Sequence, residues 1–237
     1  MYRVQLQDAV SSEREVWDHW YRQAQAQGYR SRAAFKLIDI DDKRKVIRKG
    51  DRVLDAGCAP GSWCEVALQR VGPDGTVVGI DLQAVEWREA PQNLRLIEGD
   101  FLQASAESLL EGVKSTRRGP TRFDVVLSDM MAFTTGSQST DHHASARIVE
   151  QLLATLPALL REGGNLVYKI FEGERSPELL QKTRDCFEKA KPYKPAASRG
   201  DSVEIFVVGQ GFIPEAAPTM PPEPKRGPPS PGYGWGR

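Results

Sequence analysis

Short apolar runs rich in β-branched residues recur along the chain, at RVLDAG (52–57), TVVGIDL (76–82), LRLIEGD (94–100), FDVVLSDM (123–130), NLVYKIF (165–171) and SVEIFVVGQ (202–210). Each predicts a strand. Between them, residues 62–71, 104–115, 142–161 and 177–190 carry helical spacing. The last begins SPELLQK, with Ser176 as cap and Pro177 at the first helical position. This alternation predicts an α/β domain built on a mainly parallel sheet. Ahead of the first strand, RSRAAFKLIDIDDKRKVI reads as a helix whose apolar face carries Ala34, Leu37 and Ile38, which sets Lys36 off that face. Past Phe212 the composition changes: residues 214–237 hold eight of the sixteen prolines and four glycines, a disordered or extended tail. The expected organisation is an N-terminal extension (1–27), one domain (28–212) and a Pro/Gly-rich tail (213–237).

With 237 residues and 40% hydrophobic content the chain can bury one sizeable core. No stretch approaches 18 consecutive apolar residues, so no membrane partner is expected. The N-terminus lacks the features of a secretory signal or an organellar presequence. Cys58, Cys64 and Cys186 show no CxxC spacing, which predicts neither a disulfide framework nor zinc and suits a reducing intracellular compartment, mitochondrial matrix or cytoplasm. His142 and His143 are adjacent and cannot both face one ligand from a helix, so no metal is expected and the pair reads as a polar loop or helix start. Net charge is zero, yet residues 28–52 carry nine Lys or Arg against four Asp, and residues 177–200 carry six against three acids. Two basic segments on a neutral chain suit a local phosphate-binding surface, or simply solvated helix faces.

In an open parallel sheet ligands sit beyond the carboxyl ends of the strands. The first strand ends in DAGCAPGSW, where Gly57, Pro60 and Gly61 form a tight turn that lets a ligand approach the backbone. It is neither a Walker A loop nor a GxGxxG fingerprint. The next two strands close on acids, Asp81 and Asp100. An acid at the end of the second strand is placed to accept from a ribose diol, and the other could meet an adenine edge. Each acid alone could be an ordinary loop cap; the pair with the glycine turn points to S-adenosylmethionine, a nucleoside with no phosphate to cradle. Asp129, closing the fourth strand, would face its sulfonium.

Lys169 and Glu204 interrupt strands that are otherwise apolar, and burying either charge unpaired costs several kcal/mol. Pairing them with Lys36 and Asp129 would relieve that cost and assemble a site. Taken singly, Lys169 could snorkel from a strand end, Glu204 could face solvent on an edge, and Lys36 could belong to a charged helix face.

The segments YRSRAAFKL (29–37), LDAGCAPGSW (54–63), GIDL (79–82), EGDF (98–101), VVLSDMMAFTTG (125–136), LREGGNLVYKIFEG (160–173) and RGDSVEIFVVGQGF (199–212) together resemble the FtsJ-type (RrmJ-type) ribose 2′-O-methyltransferases, in the family's order. The resemblance implies a Rossmann-like class I methyltransferase fold with a mostly parallel seven-stranded sheet flanked by helices. It implies a catalytic tetrad of Lys36, Asp129, Lys169 and Glu204, and cofactor contacts at Gly61, Trp63, Asp81, Asp100 and Asp129. The SDM start of the strand-four loop resembles the large-subunit rRNA uridine enzymes, and the lead-in with APGSW looks closest to mitochondrial and alpha-proteobacterial members. The expected partner is therefore large-subunit rRNA or the assembling large subunit, met by a monomer. One departure stands out: Ala132 occupies the family's proline position and Phe133 its asparagine position, which bears on target and affinity rather than on reaction type.

A ribose hydroxyl is a weak nucleophile at neutral pH, so the site must align it with the methyl donor and ease loss of its proton. Lys169 is the expected proton acceptor, or the group that steadies the developing alkoxide, with Asp129 and Glu204 orienting it. Neighbouring carboxylates favour a charged Lys169; Lys36, a sulfonium and burial oppose it. RNA would be gripped through phosphates by Arg30, Arg32, Lys43, Arg44, Lys45, Arg48 and Lys49. Competing readings are the same chemistry on tRNA or an mRNA cap, a catalytically weak RNA-binding assembly factor, and a small-molecule methyltransferase.

Overall fold

The computed structural model describes residues 19–113, 120–132, 137–198 and 202–218. Most of the N-terminal extension, the tail from 219, and Phe133 lie outside them. All of Arg52–Ala56 (β1) is buried, as a strand covered on both faces must be. Around it lie Thr76–Asp81 (β2), Leu94–Glu98 (β3), Phe123–Ser128 (β4), Leu160–Phe171 (β5), Phe187–Tyr193 (β6) and Glu204–Phe212 (β7), in the sheet order β3-β2-β1-β4-β5-β7-β6. Neighbours run parallel except around β7, which is antiparallel to both β5 and β6.

Two helical layers cover the sheet. Helix α1 (residues 19–26) leads into Ala33–Arg44 (α2), which lies with Ser62–Val71 (α3) on one face. There Ala34, Leu37 and Ile40 pack with Val66, Val125, Val167 and Phe206. Opposite are Ala106–Leu110 (α4), Gln138–Leu159 (α5) and Ser176–Cys186 (α6), whose Leu109, Leu152 and Leu179 join Leu54, Val126 and Tyr168.

The helix expected over 177–190 ends at Cys186, and β6, a strand the sequence pattern did not predict, follows at once. FEKAKPY has the charged composition of a helix surface and little apolar content. As an edge strand it buries only Phe187 and Ala190, and an edge tolerates both its lysines and Pro192. Ser176 lies inside α6 rather than capping it; its Oγ accepts from Gly173 N–H and donates to Phe171 O. The helix expected over 104–115 is five residues long, capped by Ser105, whose side chain accepts from Ser108 N–H.

Candidate active site

Strand parity builds the site. Val125 and Leu127 face the α2/α3 layer, so Asp129 continues on that side. Val167 does the same, carrying Lys169 with it, and so do Phe206 and Val208, carrying Glu204. Lys169 is in register with Phe206, and Glu204 with Phe171, so all three ionisable side chains meet on one face at the carboxyl ends of β4 and β5. Helix α2 lies across that face and lowers Lys36 onto it.

The tetrad is two ion pairs. Lys169 Nζ lies 2.6 Å from Asp129 Oδ1 and 2.7 Å from Asp129 O. Lys36 Nζ lies 2.6 Å from Glu204 Oε1, which also accepts from Ser198 Oγ at 3.0 Å, and Lys36 Nζ stands 5.6 Å over the Phe206 ring. Lys36 and Lys169 are each 7% exposed, so neither belongs to a solvated face or snorkels from a strand end. Glu204 serves Lys36 rather than Lys169, a correction to the expected arrangement. Ser198, which fixes the carboxylate, carried no sequence signal because it sits in a polar loop.

Beside the Lys169–Asp129 pair opens a cleft of about 810 Å³, lined by Gly57, Pro60, Asp81, Asp100, Asp129, Ala132 and Lys169 among others. Gly57 is at φ +78°, and a Cβ there would lie 2.9 Å from the Met130 backbone, so only glycine fits. Asp81 accepts from Ala59 N–H and Gln83 N–H; Asp100 accepts from Leu102 N–H and the Gln103 amide. Both acids therefore cap their own loops and also present carboxylates to the cleft, each oxygen retaining acceptor capacity. Gly61 and Trp63 do not line it. Gly61, at φ +105°, caps α3, and the Trp63 ring is buried against Phe206 with its Nε1–H donating to Ala33 O. On the cleft side Trp63 can offer only main-chain N–H at the start of α3.

The basic lead-in is not one surface. Arg30 is a brace: it donates to Glu65, Pro60 O and Glu86 O and stacks 4.1 Å over the Trp87 ring, tying the glycine turn to the β2–β3 connection. Arg32 donates to Ala197 O. Lys43, Arg44, Lys45, Arg48 and Lys49 stand at the far end of α2, where Gln210 donates to Arg44 O and Asn165 to Val46 O, beside the amino end of β5. Lys43 is about 10 Å along the helix from Lys36.

The histidine pair is split: His143 is exposed, whereas His142 is buried. Its Nε2 accepts from Arg175 N–H, which leaves Nδ1–H to donate to Phe171 O, so the neutral ring clamps the loop that follows Lys169. Among the described residues no group of three or more His, Cys, Asp or Glu is placed to hold a metal ion, and no helix is long and apolar enough to cross a membrane.

One buried acid had no reading from sequence beyond strand membership. Asp55 in β1 is 1% exposed, accepts from Cys64 Sγ at 3.2 Å, and has no partner for Oδ1 among the described residues. Burial, helped by the Asp129 and Asp81 carboxylates against the bond from Cys64, pushes it from the ordinary 3.8 up to about 7. The folded chain thus holds a proton that the unfolded chain releases near pH 4. The associated stability is present below pH 4 and is lost as pH rises to 7, on the order of 4 kcal/mol. Asp55→Asn should therefore gain melting temperature over the parent progressively from pH 5 to pH 8. Parallel melting curves across that range would exclude a protonated Asp55.

The seven-stranded order with antiparallel β7, and a cleft at the ends of β1 to β4, define a Rossmann-like class I methyltransferase fold. The chain belongs to the FtsJ-like methyltransferase family, whose profile matches residues 29–212. It is 41% identical over 195 residues to the ribosomal RNA large subunit methyltransferase E of Methanothermobacter thermautotrophicus, covering 82% of this chain and 90% of the relative. The Cereibacter sphaeroides protein of the same name is 40% identical over 215 residues, covering 87% and 85%. Among solved structures, a ribosomal RNA methyltransferase from Plasmodium falciparum superposes with a TM-score of 0.64 at 26% identity, covering 78% of this chain and 98% of that one.

Proposed function

We propose that this chain transfers a methyl group from S-adenosylmethionine to the ribose 2′-hydroxyl of a uridine in large-subunit rRNA. The observation that carries the reading is the ion pair of buried Lys169 with half-buried Asp129 at the wall of the cleft, with Lys36–Glu204 beside it. The relatives' names, ribosomal RNA large subunit methyltransferase E, support the substrate class. Cleft chemistry fits the cofactor: acids from two strand ends suit hydroxyl and amine donors, the glycine turn admits close approach, and Asp129 supplies a negative charge for a sulfonium. When bound, the cofactor supplies a methyl group already activated by positive sulfur.

The protein's share is to hold the ribose oxygen and manage its proton. An ammonium has three donors, and Asp129 takes two of those on Lys169 through its carboxylate and carbonyl oxygens. The remaining N–H is available to an oxygen entering the cleft, where it stabilises developing alkoxide charge. Proton removal by Lys169 itself would first require the lysine to lose a proton held between those acceptors. This geometry favours the electrostatic role: Lys169 N–H steadies the oxygen while the O–H proton passes to water as the O–CH3 bond forms and the S–CH3 bond breaks, leaving neutral sulfur.

The test is methyl transfer with labelled cofactor on protein-free rRNA and on assembled large subunits, followed by mass-spectrometric mapping. Label on a uridine ribose of large-subunit rRNA is expected. Label on tRNA or a cap would overturn the substrate, and RNA binding without transfer would assign an assembly role.

A further inference from the structure

The two basic segments far apart in sequence meet along the seam between α2 and β6. Arg44 lies 5.5 Å over the Tyr193 ring, Asp39 of α2 accepts from Ala196 N–H just past β6, and Gln210, in register with Lys189, donates to Arg44 O. Residues in register share a face, so Lys189, opposite Gln210, and Lys191, opposite Val208 of β7, which packs against the α2/α3 layer, project on the α2 side of the sheet. Both are exposed, as are Lys43 and Lys45 on the helix side. None of these four lysines has a carboxylate partner among the described residues. Three acids of α2 are engaged elsewhere: Asp41 and Asp42 with Arg70, and Asp39 with Ala196 and Tyr193.

We infer that the α2–β6 seam, through Lys43, Lys45, Lys189 and Lys191, is a phosphate-binding surface that holds the RNA chain flanking the methylated nucleotide. This rests on the RNA reading above. The seam leads into the site at its upper end: β6 runs toward the loop whose Ser198 bonds Glu204, and α2 carries Lys36 about 10 Å from Lys43. A nucleotide held beside Lys169 belongs to a long polyanion, and the phosphates on one side of it must cross neighbouring protein surface. Along β6 the two lysines recur every second residue, roughly 7 Å apart, a spacing that suits successive phosphates of one strand. An edge strand bearing lysines also discourages strand pairing. That role concerns β6 alone and needs no cations on α2.

The experiment measures binding of a large-subunit rRNA fragment by the full chain across a salt series, for the parent, for Lys189→Gln/Lys191→Gln and for Lys43→Gln/Lys45→Gln. Each pair is expected to lower the slope of log affinity against log salt by about 1.5, as two lost phosphate contacts should. An unchanged slope in either pair overturns the composite seam. If that unchanged slope comes with lost binding to polyglutamate, the patch belongs to an acidic protein partner. If the parent itself binds rRNA without salt dependence, the RNA reading fails first, and the two failures are distinguishable.

Discussion

Lys169→Ala is expected to slow methyl transfer by about 10²–10⁴-fold, the range for removing one positioned proton-handling or charge-stabilising group, while cofactor affinity is kept or improves. Both bonds given by the Lys169 ammonium go to Asp129, so its loss leaves that carboxylate free for a cationic ligand rather than disturbing Asp81 or Asp100. The side chain is almost fully buried with Val167 and Phe206 beside it, and alanine leaves a small polar void at the cleft wall rather than an orphaned buried cation. Single-turnover transfer and equilibrium cofactor binding separate the effects. Parent-level turnover in the variant would remove Lys169 from the reaction.

The second large effect is on stability and activity together. Lys36→Met leaves Glu204 mostly buried with Ser198 as its remaining partner, which should destabilise the fold by about 3–5 kcal/mol. Removing both charges, Lys36→Met with Glu204→Leu, should return most of that loss, because an apolar pair over Phe206 carries no desolvation cost. The double variant should nevertheless stay inactive, since stability returns without the charges that shape the site. Urea denaturation with transfer assays on the same three proteins makes the comparison. A stable double variant with parent activity would make the pair purely structural.

Much of this site was legible in the chain because charges in apolar strands are conspicuous. Lys169 stands out between Tyr168 and Ile170, and Glu204 before Ile205, since an unpaired charge in a buried strand is too costly to leave unexplained. Partner choice was not legible. Glu204 takes Lys36, and Lys169 takes Asp129, because α2 lies across β7 while β4 lies next to β5. Similarly, β6 escaped detection because an edge strand needs few apolar residues, and Trp63 looked like a ligand contact although its ring packs against Phe206. His142 gave no hint of its clamp, which depends on a carbonyl 29 residues away and an amide 33 residues away.

Apart from Lys36, which only the family resemblance placed with the others, the sequence by itself determined the alternating α/β order, the strand ends on which Asp81, Asp100 and Asp129 fall, and the conspicuous charges at Lys169 and Glu204. These follow from local periodicity and from the cost of burying charge, both of which act residue by residue. Tertiary structure alone decided which charges pair, that Arg30 is a brace while Lys43 to Lys49 stand at the other end of α2, and that α2 meets the edge strand carrying Lys189 and Lys191 through Arg44 and Tyr193. Those outcomes depend on strand order, register and the direction in which α2 crosses the sheet, relations between segments that no single stretch of chain contains.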